Sequence, residues 1–321
     1  MVSGLPAVLV EAFSAEPLGG NGAAVVRLAQ AAPADWMQRV AARLRQSETA
    51  FLLEAPGGWA LRWFTPTKEV PLCGHATLAA LLALHRWSGS QLAGDIRFLT
   101  RSGPLQGRLG EGGSSGGADG PPRVQLELPT FALRPEAPPS ELSGWLSARL
   151  GHGPERFWRS GLGYAVALLP PAAPLAGLEG VAAALSGPCR DGLVLMQALP
   201  PGADRPRVIG APADYQLRFF APGLGIDEDP VTGSAHALVA PYWLERCERQ
   251  RVVGWQCSDR PGGMVCEASS SGMIRLTGCG HLLWEGTLWA EPEPGSTPSA
   301  AAAEWALACG LPKDDPCRDP S

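Results

Sequence analysis

The sequence predicts an α+β protein made of two similar halves, in each of which β-strands surround one buried helix. Three observations predict this fold. Residues 62–87 and 218–247 repeat one pattern, the stretch after the glycine of each repeat is apolar on nearly all sides, and short apolar runs separated by turn residues fill the rest of the chain.

Both repeats open with Arg, two aromatic residues, a small residue and Pro, as RWFTP from Arg62 and RFFAP from Arg218. A turn follows, then Gly and a polar residue, then the apolar stretches ATLAALLALHRW and ALVAPYWLERC. Helices that are apolar around most of their circumference are buried. We therefore predict one central helix in each half, with a kink at Pro241 because proline removes a backbone hydrogen bond.

Apolar runs rich in β-branched and aromatic residues predict the surrounding strands. In the first half the runs are AVLVEAF, AAVVRL, TAFLLEA, ALRWF and VQLELP; in the second they are YAVALL, GLVLMQ, YQLRFF, MVCEA and LLWEGTLW. The glycine-rich stretch 110–122 is predicted to lie within a hairpin, since the alternating apolar residues after it can pair with DIRFLTRSGPL. We place the two halves at residues 1–129 and 130–290, followed by a polar tail, 291–321, with one short Ala-rich helix.

Composition argues against several classes of protein. With 321 residues, of which 45% are hydrophobic, the chain can bury a large core. The net charge of -5 and the absence of a Lys/Arg-rich run argue against a nucleic-acid partner. No basic signal-peptide region and no apolar run of about 18 residues is present, so we expect a soluble, cytoplasmic protein without a membrane partner. The eight cysteines form no C-x-x-C pair and are expected to be reduced thiols.

The two glycine turns, CGH at 73–75 and TGS at 232–234, are the candidate binding elements. Each precedes a predicted buried helix, whose first N–H groups and dipole attract anions. If the halves face one another, both helix starts converge on one cleft that suits a small carboxylate. For a single turn, simple capping by Ser234 and Asp229 is the better explanation. The duplication favours a functional site.

Two further polar residues lie beside apolar strands. Glu48, in QSETAFL, stands at the mouth of a strand, where loss of hydration raises the pKa of a carboxyl group and suits it to proton transfer. A solvated glutamate at a strand end is an equally good explanation. Asn21, in PLGGNGAAVV, could orient a ligand, although a residue that tolerates a left-handed turn is the simpler interpretation.

Together these motifs resemble the PhzF-like isomerases, the phenazine biosynthesis-like proteins that share a fold with diaminopimelate epimerase. The resemblance rests on FTPTKEVPLCGHATLA, RFFAPGLGIDEDPVTGSAHALVAPYW, QSETAFL and GGNGAAVV, and it extends from about Val8 to Trp289. It implies two pseudo-symmetric domains, each a β-sheet barrel wrapped around a central helix, with an active site between them and no cofactor. Homodimerisation is an expectation from the same resemblance.

The resemblance also implies roles for individual residues. Glu48 would be the acid/base that relocates a proton on a small anionic substrate carrying a carboxylate. The polar residues that match the rest of the catalytic set are His75, Asp229 and Ser234. The residues implied to bind the substrate are Asn21, Cys73, Gly74, Thr232 and Gly233.

Two departures from the family pattern affect these expectations. Gly22 stands where the family usually has proline, which makes the turn at Asn21 looser. In the epimerase relatives both glycine turns carry cysteine, whereas this chain pairs Cys73 with Thr232. A threonine hydroxyl is too weak an acid to replace a thiol at neutral pH, so two-thiol racemisation is disfavoured.

The leading hypothesis is therefore a cofactor-independent isomerase with Glu48 as base and acid. One alternative is an amino-acid epimerase or racemase in which Cys73 and Glu48 act from opposite faces, and another is a non-catalytic anion-binding protein. A zinc site at Cys73, His75, Asp229 and His236 is a further alternative, although its spacing fits no familiar zinc pattern. We predict no metal and no cofactor, and the sequence names no particular substrate.

Overall fold

The structure, a computed structural model, describes residues 4–89, 92, 94–110, 121–202, 204–270, 272–290 and 298–311. Most of the predicted glycine-rich loop, and most of the predicted tail apart from residues 298–311, lie outside these ranges. Contacts divide the chain into two compact units: unit 1 contains Met1–Ala12, Gly22–Leu126 and Gly280–Ser321, and unit 2 contains Phe13–Asn21 and Glu127–Cys279. The boundaries predicted along the chain, at 129 and 290, stay a prediction.

The described strands are β1 (Leu5–Ala12), β2 (Asn21–Leu28), β3 (Glu48–Ala55), β4 (Gly58–Phe64), β5 (Glu69–Val70), β6 (Asp95–Thr100), β7 (Gly103–Leu109), β8 (Arg123–Pro129), β9 (Leu133–Pro135), β10 (Arg156–Ser160), β11 (Ala165–Leu168), β12 (Leu193–Ala198), β13 (Arg207–Val208), β14 (Ala211–Pro212), β15 (Tyr215–Ala221), β16 (Ile226–Asp229), β17 (Arg251–Gln256), β18 (Gly262–Ala268) and β19 (Met273–Leu288). The helices are α1 (Ala34–Leu44), α2 (Gly74–Trp87), α3 (Ser140–Leu150), α4 (Val181–Ala184), α5 (Gly233–Arg246) and α6 (Pro298–Cys309). Short 3-10 turns lie at Leu175–Gly177, Gly187–Asp191 and Pro222–Leu224.

The two units repeat one series of strand pairings. In unit 1, β2 is parallel to β3, β3 antiparallel to β4, β4 parallel to β6, and β6, β7 and β8 follow in antiparallel order. In unit 2, β11, β12, β15, β17, β18 and β19 follow with the same alternation. The long helix occupies the same place in each series, α2 before β6 and α5 before β17. The predicted duplication is thus confirmed in the topology.

A ring of strands surrounds the first central helix. Pairing runs from β1 through β2, β3, β4, β6, β7, β8 and β19 and back to β1, which closes an eight-stranded barrel. Residues 74–84 of α2 are all buried, as its uniformly apolar sequence predicts. In α5 the buried positions end at Ala240 and Trp243, and Pro241 is exposed. The helix continues through Pro241 to Arg246, and the kink stays a prediction.

The strands proposed from apolar runs are all present, whereas several elements were not predicted. Two of these unpredicted elements are the strands β10 and β17. Another is the helix α1, whose buried face consists of Trp36, Met37, Val40 and Ala41. Seven cysteines lie in the described part of the chain, and all have free thiols. None of the described helices combines the length and apolar character that crossing a bilayer requires.

The Ala-rich helix expected after residue 290 is α6, and it packs into the core of unit 1. Its Trp305 side chain is fully buried, and the indole N–H donates a hydrogen bond to the carbonyl of Ala32 at 2.8 Å. Ala301 and Cys309, one turn away on either side, are also buried, whereas Leu307 is 85% exposed. Whether this segment docks was left open by the sequence, and the structure shows that α6 does.

Because Trp305 anchors α6, we expect Trp305→Ala to lower the free energy of unfolding by about 3–5 kcal/mol, the usual cost of emptying a buried aromatic site. Leu307→Ala is the matched control on the same helix and should change it by less than about 0.5 kcal/mol. Urea denaturation followed by circular dichroism measures both. Equal effects of the two substitutions would show that α6 is not held by its buried face.

Candidate active site

Glu48, Cys73 and His75 form one buried cluster in unit 1. Glu48 is the first residue of β3, Cys73 is the N-cap of α2, and His75 is the second residue of that helix. Their exposed fractions are 7%, 6% and 3%. Contacts between α2 and β3 bring the strand start beside the helix start. Three residues that the sequence singled out in two separate motifs are thus brought together.

The histidine ring links the other two side chains. His75 Nε2 lies 2.9 Å from Glu48 Oε2, a charge-assisted contact when the ring is protonated. The sulfur of Cys73 lies 3.4 Å from His75 Nδ1 and 3.9 Å from Nε2. The ring thus lies at ion-pair distance from the carboxylate, while its other nitrogen is within hydrogen-bond distance of the sulfur.

Burial sets the protonation of this cluster. It raises the pKa of Cys73 to about 11, and the neighbouring Glu48 charge adds to the increase, so the side chain is a thiol at neutral pH. Burial alone would lower the pKa of His75, but the Glu48 carboxylate beside the ring outweighs it and raises the pKa above the ordinary value. We conclude that the imidazolium form of His75 is favoured beside the carboxylate.

The donor atoms of Glu48, Cys73 and His75 lie within 4.8 Å of one another, a separation that a metal ion could bridge. Metal binding requires a thiolate and a neutral imidazole, so an ion would have to displace two protons here. This trio is the one such group found among the described residues. His236 bonds the Tyr215 hydroxyl at 2.9 Å, and burial lowers its pKa to about 3.

The second glycine turn, in unit 2, is built around Asp229. The Asn21 amide donates to Asp229 Oδ1 at 2.6 Å and to the carbonyl of Val231 at 3.0 Å. The Thr232 hydroxyl donates to Asp229 Oδ2 at 2.5 Å. All three side chains are at least nine-tenths buried. The turn is therefore held by a hydrogen-bonded network in which Asp229 is the acceptor.

Asn21 corrects one interpretation of the sequence. The simpler interpretation, a residue tolerated in a left-handed turn, is wrong, because Asn21 begins β2 and the left-handed residues are Leu18, with φ 68°, and Gly20, with φ 82°. Its buried amide bonds the second glycine turn instead. Gly22 follows it within β2, where an added Cβ would come within 2.7 Å of the Gln46 side chain.

Gln256 is a site residue that sequence reasoning missed. It ends β17, is fully buried, accepts a hydrogen bond from the Thr232 N–H at 2.8 Å and donates to the Asp229 carbonyl at 2.6 Å. Both ends of its amide are thus bound to the backbone of the turn. Because it lies 24 residues from Thr232, only the pairing of β17 in the sheet shows this role.

Capping does not explain the two turns. Neither N-cap residue, Cys73 in α2 or Thr232 in α5, makes a side-chain cap hydrogen bond. Ser234, the second residue of α5, is half-buried, and within the described part of the chain its hydroxyl has no hydrogen-bond partner. Capping by Ser234 and Asp229 is therefore not what the second helix start shows, since Asp229 accepts from Asn21 and from the Thr232 hydroxyl instead.

A buried arginine supports each turn. Arg62 Nε and Nη2 donate to the two carboxylate oxygens of Glu69 at 2.8 and 3.0 Å. Glu69 lies four residues before Cys73 in the sequence. In unit 2, Arg218 makes the same two-pronged contact with Glu228, the neighbour of Asp229. These are the arginines that open the two repeats, to which the sequence had assigned no role.

Besides its glutamate, each of these two arginines contacts a further group, and that group differs between the units. Arg62 Nη2 lies 2.8 Å from Glu304 of α6, and its guanidinium lies 5.3 Å from the Trp305 ring centre. Arg218 Nη1 donates instead to the carbonyls of Leu175 and Leu178. The helix after the second repeat thus completes the support of the first turn.

The chain is similar in sequence and in fold to known proteins of one family. The sequence profile of the PhzC-PhzF family, described as phenazine biosynthesis-like proteins, matches residues 10–286. An uncharacterized isomerase of Pseudomonas aeruginosa is 33% identical over 283 residues, covering 85% of this chain and 94% of the relative. A PhzF-family crystal structure from Enterococcus faecalis has a TM-score of 0.74 with 28% identity, covering 90% of this chain and all of that one. A probable proline racemase from Agrobacterium radiobacter, with TM-score 0.60 and 12% identity and covering 96% and 100% of the two chains, shares the fold alone.

Replacing Glu48 should lower the pKa of His75, because Glu48→Gln removes a charge that raises it. In the wild type the pKa of His75 in the folded state exceeds its value in the unfolded chain, about 6.5. Protonation of His75 therefore contributes its full stabilisation of the fold below about pH 6.5. This contribution is lost as the pH rises through the folded-state pKa. NMR titration of the ring protons measures the shift. The control is His236, which should stay neutral in both proteins. A wild-type His75 pKa at or below 6.5 would contradict this ion pair.

Replacing Gln256 should loosen the second turn, because Gln256→Leu leaves the buried Thr232 N–H without an acceptor. The expected loss in free energy of unfolding is about 1–3 kcal/mol. Gln216→Leu, a half-buried glutamine on β15 with no side-chain hydrogen bond within the described residues, is the control and should cost less. Denaturant unfolding compares the two variants. A larger loss in the control would remove Gln256 from this role.

Proposed function

This chain belongs to the PhzF family of phenazine biosynthesis-like proteins, and from that premise we propose that it is an isomerase that relocates a proton on a small carboxylate-bearing metabolite. Glu48 is the acid and base, and the reaction needs no cofactor. The relative in Pseudomonas aeruginosa that is named an isomerase supports the reaction class. The single observation that carries the assignment of Glu48 is its buried 2.9 Å contact with His75.

The proposed reaction is a proton transfer in two steps. A Glu48 oxygen takes a proton from a C–H bond acidified by neighbouring unsaturation or a carboxyl group, and the electron pair of that bond delocalises into the substrate. Glu48 then returns the proton to another carbon, so that the double bond moves and no net proton is gained or lost. Low exposure of Glu48, 7%, limits exchange of the transferred proton with water.

His75 supports this chemistry through Glu48. A protonated imidazole whose Nε2 lies 2.9 Å from Glu48 Oε2 places a positive charge beside the carboxyl group. The same contact limits the rotation of the carboxyl group and so directs its free oxygen. We therefore propose His75 as a positioning residue for the base.

The helix starts are proposed to bind the substrate carboxylate. Backbone N–H groups at the start of α2, around Gly74, and of α5, around Gly233, are unpaired within their helices and favour an anion. The free hydroxyl of Ser234 adds a donor in unit 2. In this proposal Asp229 does not touch the proton that moves; it orders the second turn through Asn21 and Thr232.

The epimerase alternative is less well supported. A cysteine acts as a base only as a thiolate, and burial raises the pKa of the Cys73 thiol to about 11, which disfavours the thiolate at pH 7. Thr232 cannot supply the second thiol. The observation at Cys73 thus favours the mechanism with Glu48 alone.

Proton NMR in D2O tests the proposal with a panel of small unsaturated, amino and hydroxy carboxylic acids. Deuterium incorporation or a migrated double bond is expected with the wild type and should fall by about 10²–10⁴-fold in Glu48→Gln, the usual contribution of a positioned acid/base. Glu54→Gln is the control, since Glu54 lies on the same strand with its side chain 75% exposed. Cys73→Ala should retain activity.

Other results have distinct meanings. Activity that survives in Glu48→Gln and disappears in Cys73→Ala would establish the epimerase alternative. Binding of carboxylic acids without exchange of any proton would contradict the isomerase and favour the anion-binding protein.

A further inference from the structure

A cavity of about 690 Å³ lies within unit 2, against the C-terminal half of α5. One wall is the helix face formed by Leu238, Pro241, Tyr242 and Glu245, whose spacing places them on one side. Another is the segment between β8 and β9, residues 130–132. The volume falls in the range of about 300–1,000 Å³ typical of small-molecule sites.

The cavity exists because the second repeat departs from the first. Counted from the first glycine of each helix, Pro241 corresponds to Leu82. Leu82 is buried, and its Cδ1 lies 3.1 Å from where a Cβ on Gly280 would be, so β19 covers the first helix at this point. Pro241 is exposed, and it lies beside the segment between the end of β8 at Pro129 and the start of β9 at Leu133. Unit 1 shows that the fold can cover this helix face, and unit 2 leaves it open.

Aromatic rings form part of the wall. Trp158 of β10 and Tyr242 of α5 lie with ring centres 5.3 Å apart and planes at 61°. Trp158 is 6% exposed, so its position is fixed by packing. Trp158 thus backs the half-buried Tyr242 ring, which is the aromatic surface that a ligand can reach.

The charges around the cavity favour an anion. Two arginines line it, Arg156 and Arg246, and within the described residues neither has a carboxylate partner. Arg246 Nη1 donates to the Tyr242 hydroxyl at 2.9 Å. Glu245, also in the wall, is the one lining carboxylate, so the lining carries a net positive charge. A guanidinium group matches a carboxylate with two parallel hydrogen bonds.

One polar group of the lining residues is not exposed to the cavity. The Thr130 hydroxyl, in the break between the strands, is buried and has no hydrogen-bond partner among the described residues. Buried polar groups are normally paired, and an unpaired one costs about 1–3 kcal/mol. The hydroxyl oxygen is itself covered by protein atoms, so it adds no donor to the cavity surface.

We propose that this cavity binds a planar aromatic carboxylate, with its ring against Tyr242 and its carboxylate on Arg156 and Arg246. This is a second site, independent of the proposed isomerase reaction. Tyr242 lies eight residues beyond Ser234 on α5, which is about 12 Å along the helix axis. A ligand at this end leaves the first turn of the helix free.

Isothermal titration calorimetry with 2-naphthoate tests the proposal, and 2-naphthamide is the neutral probe of the same shape. We expect 2-naphthoate to bind the wild type at least about tenfold more tightly than the amide. The double variant Arg156→Gln/Arg246→Gln should lose at least about tenfold in affinity. Both side chains are exposed, and Arg251→Gln, an exposed arginine on β17, is the control that should bind normally.

Three results would overturn the proposal: no binding of 2-naphthoate at millimolar concentration, equal binding of the amide, or undiminished affinity in the double variant. Loss of binding in Ser234→Ala with retention in the double variant would place the carboxylate at the helix start instead. Calorimetry reports binding without turnover, so failure of the isomerase assay does not decide this result.

Discussion

The two-pronged contact between a buried arginine and a glutamate is the constraint on which both glycine turns depend. Arg62 with Glu69, and Arg218 with Glu228, fix the short strand that leads into each turn. Breaking such a buried pair by removing one partner costs about 3–5 kcal/mol, because the other charge is left in the interior. The planar guanidinium and carboxylate groups pair in one orientation. The strand that carries the glutamate is therefore fixed, and with it the start of the helix that follows.

On this shared support the two turns have acquired different chemistry. The turn in unit 1 holds a carboxylate, an imidazole and a thiol, groups whose protons can move. The turn in unit 2 holds an amide, a hydroxyl and a carboxylate whose two oxygens both accept hydrogen bonds. Threonine at position 232 belongs to this second network. The duplication therefore pairs a turn that carries a thiol and an imidazole beside a carboxylate with a turn whose carboxylate is held by hydrogen bonds.

The fold could be predicted from the sequence because its signals are local. Apolar runs predicted the main strands, and uniformly apolar stretches predicted α2 and α5. Glu48 and His75 could be named from their motifs, but their contact could not, since it joins residues 27 positions apart. Gln256 acts over a similar separation and Glu304 over a far longer one, so no local pattern reveals them. Asn21 was misinterpreted for the same reason: its partner is 208 residues away.

The order in which the chain is synthesised conflicts with the order in which unit 1 can be completed. This unit needs residues 280–288 of β19 and the helix α6, which leave the ribosome after all of unit 2. At about 5–20 residues per second, the roughly 150 residues between Leu126 and Gly280 impose a delay of about 8–30 s. During that time the barrel around α2 lacks a strand and Arg62 lacks Glu304. Unit 2, although it contains the second repeat, can finish folding first, and the nascent first unit is the natural client for a chaperone.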